Sequence, residues 1–127
     1  MRIFRNKRYV GSKDPIEYEI DISMEMSLSP GLRPLFIVEC KAHRRPVERS
    51  VIQQFIQVRD DISAHKAVIV SLHRFNEGAV RLAQKAGVAL WHYLDYRLTP
   101  ISEYPGPNGV HDSFASTTGR LCFLACN

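Results

Sequence analysis

Glu39 and Lys41 stand two apart in the stretch FIVECKAHRR, residues 36–45. If that stretch is a strand, alternation puts Leu35, Ile37, Glu39 and Lys41 on one face and Phe36, Val38, Cys40 and Ala42 on the other. A third group comes from the segment before it, where Asp21 lies on the polar side of an alternating run. A hairpin turned around SPGLRP brings Asp21 near Glu39. Two carboxylates that meet at a sheet edge repel unless something neutralises them. An oxygen-seeking divalent cation such as magnesium does so while keeping waters in its remaining positions. A neighbouring lysine can then hold or deprotonate a water. The chemistry that fits is metal-assisted hydrolysis of a phosphodiester. The plain alternative is a same-face surface ion pair worth at most about 1 kcal/mol, with Asp21 one solvated acid among Glu17, Glu19 and Glu25.

Beside these residues runs a basic cluster, His43, Arg44, Arg45 and Arg49. It suits phosphate contacts that position a nucleic acid without reading its sequence, or else a solvated loop and helix start. His43 is a second candidate for general base but fits backbone phosphate or solvent better. His65, His73 and His92 lack partner spacing for a ligand role, and Trp91 reads as core or a domain-edge contact. The net charge of +4 is compatible with a polyanionic partner. Three cysteines, one of them Cys40 inside the suspect strand, argue against a disulfide framework, and Cys122 and Cys126 are too isolated for a zinc site.

The elements that must position these groups follow from periodicity. Residues 2–10 read as a strand and GSKDP as a turn. From Ile16 to Ser29 apolar and polar residues alternate almost strictly, predicting one half-buried strand with Ile16, Tyr18, Ile20, Ile22, Met24, Met26 and Leu28 on one face. Leu35–Ala42 is the next strand, antiparallel to it. Val47, Val51, Phe55, Val58 and Ile62 form a helical stripe after Pro46. AVIVSL at 67–72 is a strand buried on both faces, NEGAVRLAQKA a second helix capped by Asn76 and ended by Gly87, and VALWHYL a last strand. The order is β-β-β-α-β-α-β, an α/β fold with a mixed sheet flanked by helices. Residues 1–97 make one domain, and 98–127, rich in turn formers, read as a poorly ordered tail. Composition, with 45% hydrophobic and 24% charged residues, is that of a globular chain. The apolar runs are far shorter than a bilayer span and the N-terminus lacks an apolar signal region, so neither membrane insertion nor export is expected and the address is cytoplasmic.

EIDI (19–22), FIVECK (36–41) and AVIVSLHRFNEGAVRLAQKAGVAL (67–90) together resemble the PD-(D/E)xK nuclease superfamily and, within it, the Mrr-like restriction endonuclease domain, over roughly residues 16–94. The resemblance implies a restriction-endonuclease-like fold and a metal-dependent endonuclease acting on double-stranded DNA with Mg2+, for which Mn2+ would substitute. It implies Asp21 and Glu39 as metal ligands with the Cys40 main-chain carbonyl as a third, and Lys41 as the residue that orients water and offsets developing charge. A glutamine on the following helix, Gln54 or Gln53 with Gln54 the better match, would approach the site. His43, Arg44, Arg45 and Arg49 would contact DNA, and a homodimer would supply two sites for two strands. Family members usually begin with a helix that often carries another acid, whereas here the first strand starts almost at Met1. The rival expectation is therefore an inactive DNA-binding or assembly module of the same fold. A third is an unrelated structural α/β domain.

Overall fold

The structure, a computed structural model, describes residues 1–13, 15–94 and 97–102. Its elements are β1 (Arg2–Val10), β2 (Glu17–Glu25), β3 (Leu35–Lys41), α1 (Arg49–Asp61), β4 (Lys66–Ser71), α2 (Glu77–Ala86), β5 (Ala89–Leu94) and β6 (Arg97–Ser102). The six strands form one sheet in chain order. β1–β2, β2–β3 and β5–β6 pair antiparallel; β3–β4 and β4–β5 pair parallel. The parallel pairs are the ones whose connection contains a helix, because a parallel return needs a crossover that a short loop cannot provide. In the loop between β2 and β3, Gly31 takes φ 83°, where an L side chain would be strained although nothing lies within 4 Å of the position its Cβ would occupy.

Both helices bury their apolar stripes against one face of the sheet. Ile52 and Phe55 of α1 and Ala79 and Ala83 of α2 join Ile20, Ile37, Ala67, Ile69 and Leu90 in a single core cluster. Full burial of each large aliphatic side chain there stabilises the fold by about 2 kcal/mol. The other face holds a second cluster, Ile22, Met24, Val38, Val68, Val70 and Ala89, edged by Phe36, Trp91 and Tyr93. β4 contributes to both clusters, as its continuous β-branched run requires. α2 ends at Gly87 in the left-handed region (φ 71°), and its last carbonyls are capped by cations from neighbouring elements, Arg59 Nη1 on Ala86 O at 2.6 Å and Lys66 Nζ on Gly87 O at 3.2 Å.

Two expectations are corrected. The alternating run does not keep one face to the core. β2 is shorter than its pattern, and Tyr18 and Ile20 join the helix-side cluster while Ile22 and Met24 join the opposite one. The ladder with β1 runs on both sides of the change, Lys7↔Ile20 and Arg5↔Ile22, but omits Asn6 and Asp21, and Asn6 adopts φ 50°. The backbone rotates at this point in both strands, so residues of equal parity end on opposite faces. The second correction is β6: residues 98–102, read from sequence as tail, pair with β5 in the register Trp91↔Pro100, His92↔Thr99, Tyr93↔Leu98. Pro100 hid this strand, yet an edge strand can leave one position without an amide donor, and the register slips beside it at Leu90/Trp91. Residues 103–127, including the apolar LCFLAC segment, lie outside the described residues.

Candidate active site

Glu39 and Lys41 share the helix side of β3 with Ile37, opposite Ile69 and Ser71 of β4. This places them at the carboxyl ends of the parallel strands, where open α/β sheets receive ligands. Glu39 Oε1 lies 2.9 Å from Lys41 Nζ, and the two side chains are only 22% and 24% exposed. β2 pairs with β3 from Glu25↔Leu35 as far as Ile22↔Val38 and no further. Asp21 occupies the fork beyond that last pair. Its Oδ2 accepts the Cys40 amide at 2.7 Å, so the main chain between Glu39 and Lys41 anchors it. The rotation of β2 at Asp21 thus leaves the carboxylate at the gap between two strands rather than on a solvated face.

The electrostatics register this closeness. Burial pushes the Glu39 carboxyl above the usual glutamate range, the Asp21 charge pushes it further, and the hydrogen bond and charge of Lys41 pull the other way without prevailing. At Glu39 the lysine does not offset burial together with the Asp21 charge, and a carboxyl in that condition inside a cleft is a functional-site signal.

A cleft of about 270 Å³ opens above Glu39 and Lys41 between β2 and α1, with Tyr18, Ile20, Val51, Gln54 and Phe55 among its walls. Gln54, which the resemblance favoured over Gln53, lines it, and Gln53 does not. A second cleft of about 260 Å³ adjoins at Lys41 and Val51 and is lined by His43 and Arg45. Arg44 and Arg49 are exposed and line neither of these two clefts. Asp21 is not a lining residue either; its carboxylate faces the Cys40 amide.

No group of three or more His, Cys, Asp and Glu side chains gathers among the described residues. Asp21 and Glu39 make a two-carboxylate, all-oxygen donor set that main-chain carbonyl and water would complete. That set suits magnesium or manganese rather than zinc, and its uncompensated charge fits a cation.

Two features escaped sequence reasoning. Tyr18 is a cleft wall, and Asp61 is buried at the end of α1. An acidic residue in the last turn of a helix opposes the dipole, and that was the one available signal for Asp61.

Comparison with known proteins bears on the fold and the family. The family model of the Mrr_cat restriction endonuclease matches residues 2–95. The chain belongs to that family, and its fold is that of a restriction-endonuclease-type nuclease domain. The crystal structure of AF1548, a protein of unknown function, is similar to it with TM-score 0.60 and 22% identity, over 72% of this chain and 49% of that one, so the match spans about half the length of that relative. No curated protein matches. Among the described residues no helix is long and apolar enough to cross a membrane.

Proposed function

We propose that this domain hydrolyses phosphodiester bonds of double-stranded DNA as an endonuclease dependent on Mg2+, with Mn2+ a substitute. The observation that carries the reading is the partly buried Glu39 carboxyl beside Asp21, raised despite Lys41 Nζ at 2.9 Å, at the carboxyl end of β3. Asp21, Glu39 and the Cys40 carbonyl would hold the cation, which when bound supplies Lewis-acid activation at the scissile phosphate. Lys41 leaves its ion pair to orient the attacking water and to offset charge that develops on the phosphoryl oxygens. Gln54 hydrogen-bonds from the α1 side of the cleft. His43 and Arg45 receive the phosphates next to the scissile one, while Arg44 and Arg49, exposed on the same rim, contact the backbone further out. Residues 1–97 act as the catalytic unit, and two copies cut the two strands.

The test is relaxation of supercoiled plasmid with Mg2+ or Mn2+ by the wild type, Asp21→Ala and Lys41→Ala, with EDTA as control. Nicking by the wild type that both variants and EDTA abolish supports the reading. DNA binding without nicking by the wild type would instead support an inactive module of the same fold. Light scattering at high concentration that finds monomer alone would remove the dimer.

A further inference from the structure

Asp61 is the one charged residue in the buried set among the described residues, at 6% exposure. Four hydrogen bonds converge on it from the β1–β2 hairpin. Its carboxylate accepts the Lys13 amide at 2.9 Å and the Tyr18 hydroxyl at 2.8 Å, and its carbonyl accepts the Ser12 amide at 2.9 Å and the Ser12 hydroxyl at 2.8 Å. The Lys13 amide first, and then the Tyr18 hydroxyl, hold the carboxyl below the usual aspartate range. This offsets the unfavourable position at a helix C-terminus.

The cleft over Glu39 and Lys41 lies between the same two elements that Asp61 joins. Tyr18 forms its β2 wall and Gln54 its α1 wall. α1 packs chiefly on α2 and β4, and its apolar stripe shares the helix-side core with Ile20 and Tyr18 of β2 beside the open cleft. At the end of α1 that span is held by hydrogen bonds to a single residue in addition to the shared core.

We propose that Asp61 is a latch that sets the separation of β2 and α1 and thereby positions Gln54 over the Glu39–Lys41 pair. Asp61 touches neither substrate nor cation, and it acts through α1 as a positioning residue. The kinetic consequence rests on the nuclease reading; the latch itself does not.

Tyr18→Phe removes one hydroxyl from the latch and keeps the ring. A double-mutant cycle with Gln54→Ala follows single-turnover cleavage at saturating metal. Tyr18→Phe is expected to slow cleavage about tenfold with DNA affinity unchanged, and to cost nothing further in the Gln54→Ala background. Equal losses in both backgrounds would overturn the proposal, because a merely structural role gives additive effects. Amide exchange provides the arm that needs no activity. Tyr18→Phe and Asp61→Asn should speed exchange at least about tenfold at Ser12 and Lys13 and along the cleft side of α1 at Val51–Val58, beyond a Glu25→Gln control of matched stability. Faster exchange at Ser12 and Lys13 alone would refute the latch. A wild type that never nicks DNA would break the nuclease reading and leave the exchange result to decide the latch.

Discussion

Two glutamates at opposite ends of the β2–β3 pairing have similar surroundings on paper and opposite electrostatics. Glu25 and Glu39 are about equally exposed, at 24% and 22% of their side chains, and each is paired with a lysine. Glu25 also takes the Arg2 guanidinium at 3.2 Å and the Tyr9 hydroxyl at 2.8 Å, and Tyr9 continues to Ser23 Oγ at 2.7 Å. The Lys7 hydrogen bond is the largest of the effects that hold the Glu25 carboxyl below the usual range, while burial pushes Tyr9 up to about 12. Glu39 has a single cation, and burial first and the Asp21 carboxylate second raise its carboxyl. Lysine pairing alone therefore does not separate a structural glutamate from the one proposed to be catalytic. The difference lies first in burial, the largest effect at Glu39 but not at Glu25, and then in the number of donors and the charge of the next neighbour. Glu25 is a closed network that needs nothing more, whereas Glu39 is left wanting a cation.

The largest effect should come from the open end. Asp21→Ala, Glu39→Gln and Lys41→Ala are each expected to lower plasmid nicking at least about 100-fold, read by gel at fixed enzyme concentration. Glu25→Gln should leave nicking within a few-fold of wild type. Comparable losses at Glu25 would erase the distinction between the two ends.

Stability should divide the two glutamates with opposite signs. Glu25, lowered in the fold, contributes stability that is complete above the ordinary glutamate pKa and is lost as pH falls through its lowered value. Glu39, raised in the fold, contributes stability that is complete below the ordinary glutamate pKa and is lost as pH rises through its raised value. Denaturant unfolding at pH 7 should accordingly find Glu25→Gln destabilised by about 1–2 kcal/mol, the size of a charge-assisted hydrogen bond. Glu39→Gln should equal or exceed the wild type, by up to about 1 kcal/mol. A destabilised Glu39→Gln would mean that the Lys41 pair outweighs the Asp21 repulsion.

Much of this arrangement could be read from the chain. The E-x-K spacing, the continuous apolar run of β4, the stripe of α1 from Val51 onward and Gly87 after α2 each encode one local rule, and the structure follows them, whereas Val47, read as the start of that stripe, bridges to Phe75 before the helix begins. Other parts are tertiary. The alternation from Ile16 onward is the same whether or not the strand rotates, and the turn at Asp21 becomes visible only once Ile20 and Ile22 are seen in different cores. β6 escaped because Pro100 argues against a strand unless its edge position is known. Gln54 and Gln53 are neighbours in sequence and differ only in which borders the cleft. Asp61 owes its burial to partners 43 to 49 residues away.

A smaller effect sharpens the comparison from outside. Arg45→Ala should weaken DNA binding about equally for unrelated sequences and lower the salt slope by about one, as fluorescence anisotropy against salt would show. Arg2→Ala, whose charge is committed to Glu25, should change that slope less.

The claim that only the Glu39 end takes a cation is tested most directly by titrating Mn2+ calorimetrically into the wild type, Glu25→Gln and Glu39→Gln without DNA. The account predicts binding to the wild type and to Glu25→Gln, strengthening as pH rises through the raised Glu39 value, and loss of binding in Glu39→Gln. Equal binding by all three proteins would contradict it, and so would no binding by any of them.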